Sequence, residues 1–553
     1  MEPEQKRIEE DLRGIVAGEV LCDDASRALY ATDASLFEVR PLAIVRPRSV
    51  EDVAATVAWA SERGISVHPR GAGSSVCGGA LGPGLVIDCS RFMRRIVSTV
   101  DDAVRVQSGV VAAQLEEHLS RLGRTFGPDP SNPGVTTVGG MIGRNSSGSR
   151  LLRHGAVRDR VVSVEAVLAD GSIVELGATA VAADRPTAGG PAAGIAPAPA
   201  PARLDSLAAG VAAIVTAARD TIARFQPAAR ASHGGYRLDD LLATSASAAP
   251  SVDLARLCCG SEGTLAIVTE ATLRTVPADG STAVALVLFD SLARAAEAAV
   301  RLRLLGPSAC DIFDRRHLAM ARGTRPAFDL LSPPVAEAGL LVALASDAPR
   351  GCNARLDEAM KMMQQGRHPC LDIRRAEDAG DAAFFWELSR NVVSTLHGVR
   401  AAVRPVPFIE DLVVPAATLP EFIGRLQEVL NRCQFTAMVF GHAAHGQVHV
   451  RPYADPRVPG ERDRLESLAG QVYAEVVALG GTIGGEQGLG LSRTPFFGRL
   501  FPELSAVHSR VKRLFDPAGI LNPGRVVPAD GGPLPTPFRP PLAAAMVAHD
   551  GSR

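Results

Sequence analysis

The sequence predicts an α+β chain of at least two domains, and three observations carry that prediction. The chain has 553 residues, whereas a single core stops growing at about 250–300. Short β-branched runs alternate with amphipathic helical segments from end to end. Two stretches built of glycine and small polar residues follow strand-like runs, which is where an α+β protein places its binding loops.

In chain order, a charged N-terminal helix gives way at Ala43 to a strand. Ser49 then caps a helix whose Val53, Val57 and Ala60 share one face and which Gly64 stops. A short strand, Ile65 to His68, feeds the first loop, PRGAGSSVCGG (Pro69 to Gly79). Strands follow at Leu85 to Asp88 and as a pair from Ile96 to Gln107, then a helix from Ala112 to Leu122. The second loop, GPDPSNPGVTTVGGMIGRN, runs from Gly127 to Asn145, and a hairpin with an Asp170-Gly171 turn comes next. Glycine lets a backbone approach a ligand closely and lets successive N–H groups point the same way. Two such loops imply a long, diphosphate-bearing cofactor rather than a single phosphate.

From 177 to 203 the composition collapses to Ala, Pro and Gly, too poor in large apolar side chains to order itself, and a disordered insertion is expected. A helix is expected from Leu204 to Phe225, a surface loop from Ser245 to Pro250, and closure of the first domain by Leu257 to Val276. A second domain begins near 279, with strand Thr282 to Phe289, helix Ser291 to Leu304, strand Gly339 to Ala345 and helix Asn353 to Gln364. The theme repeats in helix Leu419 to Cys433, strands Ala437 to Phe440 and Val448 to Arg451, and helix Ser467 to Leu479. The boundaries implied are 1–278, 279–480, a segment 481–530 that returns to the first domain, and a frayed tail, 531–553.

Net charge is −2 with a pI near 6.7, so no basic field favours nucleic acid or an anionic membrane. No apolar run approaches the roughly 18 residues of a membrane span, and a cytoplasmic protein, or one peripheral to an inner membrane, is expected. Nine cysteines include no CxxC pair, so neither a zinc knuckle nor an iron–sulfur cluster is encoded, and buried reduced thiols are expected.

Three histidines crowd into FGHAAHGQVHVRP (His442, His445, His449), and Glu486 follows in GGTIGGEQGLG. Imidazoles and a carboxylate suit zinc or manganese. The same residues also suit an ordinary histidine-bearing loop or strand end.

PRGAGSS, VIDCSRFMRRI, the second glycine stretch with its continuation NSSGSRLLRHG, CCGSEGTLAIVTEATLRTVP and FDPAGILNPGRVV together resemble the vanillyl-alcohol-oxidase (PCMH-type) family of FAD proteins. Within it the chain is most similar to D-2-hydroxyacid dehydrogenases, and above all to the FAD half of FAD/iron–sulfur fusions. The resemblance implies a PCMH-type FAD domain of two α+β subdomains plus a ferredoxin-like α+β cap. It implies that Arg70, Gly71, Gly73, Ser74 and Ser75 meet the FAD pyrophosphate, and that Pro128, Thr137, Gly139, Gly140, Gly143, Asn145 and Gly148 line the ribityl and isoalloxazine side. Glu262, Gly263 and Ile267 are implied at the adenine and ribose end, Asn522 at the flavin, and Gly235-Tyr236 in a substrate-side loop. The first loop lacks histidine, so the FAD is expected to be non-covalent.

By the same resemblance His442, His449 and Glu486 hold a divalent metal, zinc or manganese, beside the flavin. His445 is then a fourth ligand, a proton acceptor or a solvated side chain. Two departures stand out. Gln487 occupies the place of the family's general-base histidine, and an amide cannot accept a proton at neutral pH. Ser389 occupies the place of the substrate-binding arginine, with Arg390 one position on and Arg404 of RPVPFIED as the other carboxylate anchor. The expected activity is FAD-dependent oxidation of a small D-2-hydroxyacid by hydride transfer to flavin N5, with electrons passing to an iron–sulfur or other acceptor protein. The alternative, prompted by Gln487 and Ser389, is a FAD-binding relative with lost or altered activity serving a larger redox complex. A sugar or alcohol oxidase of the same fold is the third reading.

Overall fold

The computed structural model describes residues 3–181, 200–226, 233–245, 248–324, 327–328, 333, 335–348, 351–365, 369–396, 399, 401–529 and 538. The first α+β unit is a four-stranded sheet in the order Glu19–Leu21, Ala43–Arg46, Leu85–Asp88, Val67–Arg70. Its last three strands run parallel, buried beneath the helix Val50–Glu62, whose Ser49 hydroxyl accepts the Asp52 amide. Because strand Val67–Arg70 ends at the sheet's edge, the first glycine loop leaves from an exposed strand end.

The second unit is a five-stranded antiparallel sheet in the order Ile96–Val100, Ala103–Gln107, Ile267–Arg274, Val161–Val167, Ile173–Leu176. The central strand Ile267–Arg274 alternates buried and half-buried residues along most of its length, the period of a sheet with one face in a core. The helices Val138–Arg144 and Ala200–Ala217 help to cover that face.

The Ala/Pro stretch is narrower than its composition suggests. Ala178–Ala180 form a strand and a helix already begins at Ala200, while 182–199 lie outside the described residues. The segment Ser245 to Pro250, expected as a loop, instead contributes to strands Leu242–Ser245 and Ala248–Asp253, which pair with each other. The helix expected over Leu204 to Phe225 is two helices bent by 72° near Ala218. No single described helix is long and apolar enough to cross a membrane.

The cap holds, among the described residues, nine antiparallel strands. Their order is Asp372–Arg375, Ser281–Phe289, Ala338–Ser346, Ala309–Asp314, Ala437–His442, Gln447–Ala454, Ile409–Val413, Thr482–Ile483, with Arg404–Pro405 paired beside Gln447–Ala454. Helices Leu292–Leu302, Leu419–Arg432 and Glu461–Ala478 bury one face of this sheet, and Arg315–Thr324 with Ala379–Leu396 bury the other. Both faces being covered explains why strand Ala309–Asp314, buried throughout, carries no alternating pattern to read.

After the cap, the helix Pro502–Phe515 packs on Ala200–Ala217, and Leu521 pairs in parallel with Val67. The return is held by one cation. Lys512 Nζ donates to Thr264 O (2.7 Å), Leu521 O (2.6 Å) and Asp516 Oδ2 (2.5 Å). Of the distal tail only Phe538 is described, against Phe37 and Phe408. Replacing Lys512 by Met strands Asp516 as a buried charge, a change that costs about 3–5 kcal/mol. Thermal unfolding followed by circular dichroism is expected to show Tm lowered by roughly 5–10 °C.

Candidate functional site

Two cavities meet where the cap covers the glycine loops. The first is walled by Arg70 to Ser75, Gly79, Thr137, Gly139, Gly140, Gly143, Glu262 and Gly263. Backbone and small side chains make most of that wall, and the two loops touch across it: a Cβ on Gly71 would lie 2.2 Å from Thr137 Oγ1. The second cavity, of about 1470 Å3, is lined by Asp129, Asn132, Asp311, Phe313, His317, Ser389, Arg390, His442, His449, Arg451 and Glu486 among others. Ala72, Ser74, Arg144 and Gln487 line both.

The second cavity's chemistry is built on a β-hairpin. Strands Ala437–His442 and Gln447–Ala454 pair with Phe440 opposite His449 and His442 opposite Gln447. Residues two apart share a face, so Gln447, His449 and Arg451 point the same way. The neighbouring strand answers with consecutive acids. A register shift between Ile409 and Leu412, with Asp411 at φ +65°, turns both Glu410 and Asp411 toward that face. Glu410 accepts from Arg451 Nε and lies 2.9 Å from His449 Nδ1. Asp411 Oδ1 accepts from Gln447 Nε2 at 2.7 Å.

His442 Nδ1 donates to Asp311 Oδ1 at 2.6 Å, and Asp311 also accepts from Ser149 (2.8 Å) and Ser389 (3.0 Å). Carboxylates only accept, so His442 carries a proton on Nδ1, whereas His449 Nδ1 faces both Glu410 Oε2 (2.9 Å) and the donating backbone amide of Asp411 (3.2 Å). Both rings present Nε2 to Glu486 Oε1, at 3.5 Å for His442 and 3.6 Å for His449. These separations are long for hydrogen bonds, but they match the ~3.4 Å edge of a tetrahedron with arms of about 2.1 Å. The donor set, with each ring held from behind by a carboxylate, could hold a divalent ion such as zinc or manganese. All three donor atoms lie within 4.8 Å of one another.

The electrostatics follow from burial opposed by pairing. Burial works against charge on His442, yet Asp311 and then Glu486 hold its pKa well above the ordinary value. His449, opposed likewise by burial, is pushed up to about 9 by Glu410 and Glu486. Burial would raise Glu486, but its pairing with the two imidazoles takes it well below the usual carboxylate range.

Glu486 sits in a loop joining the two domains. Its Oε2 accepts from Gly148 N (2.8 Å) and Ser147 Oγ (3.0 Å), both in the first domain. Gly148 lies at φ +77°, and a Cβ there would meet Asp129 O at 1.9 Å; only glycine can bring that amide to the carboxylate. Asp411 accepts the amides of Glu486 (3.0 Å) and Gln487 (2.8 Å). Glu262 accepts those of Leu489 (2.6 Å) and Gly490 (2.9 Å).

Several expected site residues have other work. His445 does not line either cavity: its Nε2 bonds Gln447 Oε1 at 3.0 Å, and burial beside His442 lowers its pKa to about 4. It sits in the tight turn Ala443–His445 that joins the two strands, and it is not among the donor atoms grouped with His442, His449 and Glu486. Arg404 lies outside the cavity, paired at Ala454 on the far end of its strand. Asn522 is a buried tie, bonding His68 Nδ1, Gly79 O and Glu262 O. Ile267 packs in the first core, and Ala266 and Val268 line the cavity instead. Asn145 caps its helix at φ 52° and accepts from Arg158 N, while Pro128 and Gly148 also lie off the first cavity. Tyr236, expected near substrate, is buried with its hydroxyl on Thr264. Arg70 lines the cavity but its guanidinium donates to Thr32 O (2.8 Å) and toward Tyr30 O and Ala80 O, so it braces the loop.

Arg390 lines the second cavity, bonded to Asp129 Oδ2 at 2.8 Å and stacked over Trp386. Gln487 stands at the junction, its Nε2 3.5 Å from Glu410 Oε2 and its Oε1 buried without a partner. Sequence reasoning missed Asp311, Glu410, Asp411, Arg144 and His317. The Glu410-Asp411 pair sits inside the RPVPFIED motif that was read only for its arginine. His317 donates from Nε2 to Leu388 O at 3.0 Å, and burial holds it uncharged with a pKa near 4.

Comparison with known proteins agrees with this architecture. Residues 41–177 match the family model "FAD binding domain", and 279–526 match "FAD linked oxidases, C-terminal domain". The chain is 30% identical to D-2-hydroxyglutarate dehydrogenase of Pantoea ananatis over 97% of its own length and 52% of that protein's. It is likewise 30% identical to the Escherichia coli enzyme of that name, covering 51% of it, so the chain spans about half the length of these relatives. With glycolate oxidase subunit GlcD of Bacillus subtilis it shares 26% identity over 95% of this chain and 97% of that one. Among solved structures, 4-ethylphenol oxidase from Gulosibacter chungangensis superposes with a TM-score of 0.65 at 15% identity, over 96% of this chain and 98% of that one. An alkyldihydroxyacetonephosphate synthase gives 0.59 at 16%, over 95% and 85%. These two establish the PCMH-type fold alone.

The glycine-walled cavity is therefore where an FAD would lie, gripped by backbone of both loops. Substituting Gly71 by Val overpacks the contact with Thr137, at about 1–3 kcal/mol. The purified variant is expected to hold flavin at least about tenfold more weakly, read from the ratio of visible to ultraviolet absorbance.

Proposed function

This chain belongs to the vanillyl-alcohol-oxidase (PCMH-type) family of FAD-linked proteins, and from that premise we propose that it is a dehydrogenase of D-2-hydroxyacids. The observation that carries the reading is the His442, His449 and Glu486 set, spaced for one divalent ion and facing a cavity that opens beside the glycine loops. The relatives named for D-2-hydroxyglutarate and glycolate support the substrate class. Bound FAD would supply the hydride acceptor, and an ion on the triad would polarise the substrate hydroxyl and ease its deprotonation.

The chain's own residues do the positioning. Asp311 and Glu410 fix the rotation of the two imidazoles, and Ser147 with the Gly148 amide fixes Glu486. The three donor atoms thereby face the second cavity, which shares Ala72, Ser74, Arg144 and Gln487 with the glycine-walled one, so a substrate hydroxyl at the triad would lie beside the cofactor cavity. Gln487 can donate or accept a hydrogen bond there but cannot take a proton. Ser389, on the same wall, donates to Asp311 and so supports His442 indirectly. Ser389 is thus built into the bonded network, whereas the Gln487 side chain touches it only through Nε2 at 3.4–3.5 Å and its Oε1 has no partner among the described residues. The support Ser389 gives Asp311 favours an active enzyme over an inert relative. Electrons would leave to an iron–sulfur or other acceptor, the nine cysteines here being free thiols.

Anaerobic mixing of the FAD-loaded, manganese- or zinc-supplied protein with D-2-hydroxyglutarate, D-lactate or glycolate tests the reading. Bleaching of the flavin band with at least one of them is expected, and no bleaching with any overturns it. Glu486→Gln is expected to retain FAD, lose the ion, and slow bleaching by about 100-fold or more, as measured by stopped-flow absorbance and metal analysis.

A further inference from the structure

Three arginines line the substrate cavity, and they differ in what they already hold. Arg451 is buried and bonded to Glu410. Arg390 is bonded to Asp129 at 2.8 Å. Arg144 makes one hydrogen bond, from Nε to Gly140 O at 3.2 Å, a backbone contact within its own helix. Among the described residues nothing accepts from its two Nη atoms. Arg144 also lines both cavities, so the residue stands where the glycine-walled cavity meets the one lined by His442, His449 and Glu486.

The seam has an anion problem that this cation answers. Asp129, Asp311 and Glu486 already line the cavity, and an incoming carboxylate adds a further negative charge. An arginine's planar fork can take that carboxylate through two parallel N–H···O bonds. Where the resemblance places a carboxylate-binding arginine, this chain has Ser389, which is neutral and bonded to Asp311. The helix Ala379–Leu396 offers only Arg390, already bonded to Asp129, whereas Arg144 at the end of helix Val138–Arg144 supplies a second cation to the same cavity.

We infer that Arg144 is the anchor for the substrate's 1-carboxylate, a positioning and specificity-determining residue relocated from the cap to the edge of the FAD-binding domain. The inference rests on the 2-hydroxyacid reading above. With the carboxylate on Arg144 and the hydroxyl at the triad, the substrate is held at two points and its α-carbon lies between them. The Nε bond to Gly140 O fixes the plane of the guanidinium, and Asn145, at φ 52°, ends the helix so that Arg144 is its last residue.

The test uses FAD-loaded, manganese-supplied protein and oxalate, a carboxylate that cannot be oxidised at an α-carbon, followed by perturbation of the flavin spectrum. Arg144→Ala is expected to weaken oxalate by about 10- to 100-fold and to raise KM for the 2-hydroxyacid with FAD content unchanged. Arg144→Lys is expected to recover part of the loss, keeping the charge without the fork; Arg144→Gln, which keeps the bulk, substitutes should the alanine variant not fold. Oxalate affinity within about twofold of the parent, or loss of FAD from folded variants, overturns the inference and assigns Arg144 to structure or cofactor. A parent that binds oxalate through Arg144 yet is bleached by no 2-hydroxyacid sinks the functional reading and leaves the anion site standing. A parent that is bleached while the variants keep its KM sinks the anchor alone.

Discussion

One short loop, Gly484 to Gly490, is held by buried carboxylates reaching it from two directions, and the rest of the site depends on it. From the cap, Asp411 takes the amides of Glu486 and Gln487; from the first domain, Glu262 takes those of Leu489 and Gly490. Glu486 itself reaches back to Gly148 and Ser147. Burial raises the pKa of Asp411, and it raises that of Glu262 as well. Amide donors and the nearby Arg493 compensate that cost. Neither domain could hold this loop alone, so the junction between the cofactor-sized cavity and the histidine-lined one is a joint product of both.

The two histidines inherit their geometry from sheet register. A hairpin places His442 and His449 at the mouth of the cavity, and a bulge in the adjoining strand turns two consecutive acids toward them. The bulge matters because an unbroken strand would direct Glu410 and Asp411 to opposite faces. One would then lose the imidazole and the other the loop. Ring orientation and loop position are therefore coupled through two adjacent residues of a single strand.

Much of this was legible in the sequence. The strand that feeds the first glycine loop, the cap's alternating strands and helices, and the residues of the triad could be read from pattern and motif. Strand Ala309–Asp314 was not, since a strand buried on both faces carries no alternation, and Asp311, the partner of His442, was lost with it. Low-complexity composition misled at Ala178–Ala180 and Ala248–Asp253, where pairing with a neighbouring strand overrides weak propensity. The place of His445 could not be read from the strand period, because it lies in the turn Ala443–His445 between the two strands. Arg144 was hidden inside a glycine stretch whose small residues drew the attention, and the structure shows its side chain bonded only through Nε, among the described residues, where two cavities meet.

The central claim is that an ion on His442, His449 and Glu486 stands close enough to the bound flavin for the two to share a substrate. Titrating manganese into the FAD-loaded protein while recording the flavin's visible band tests this directly. The account predicts a saturable change complete at about one ion per chain and abolished by His442→Ala. Ion binding that leaves the flavin band unaltered, or a change that persists in that variant, would contradict it.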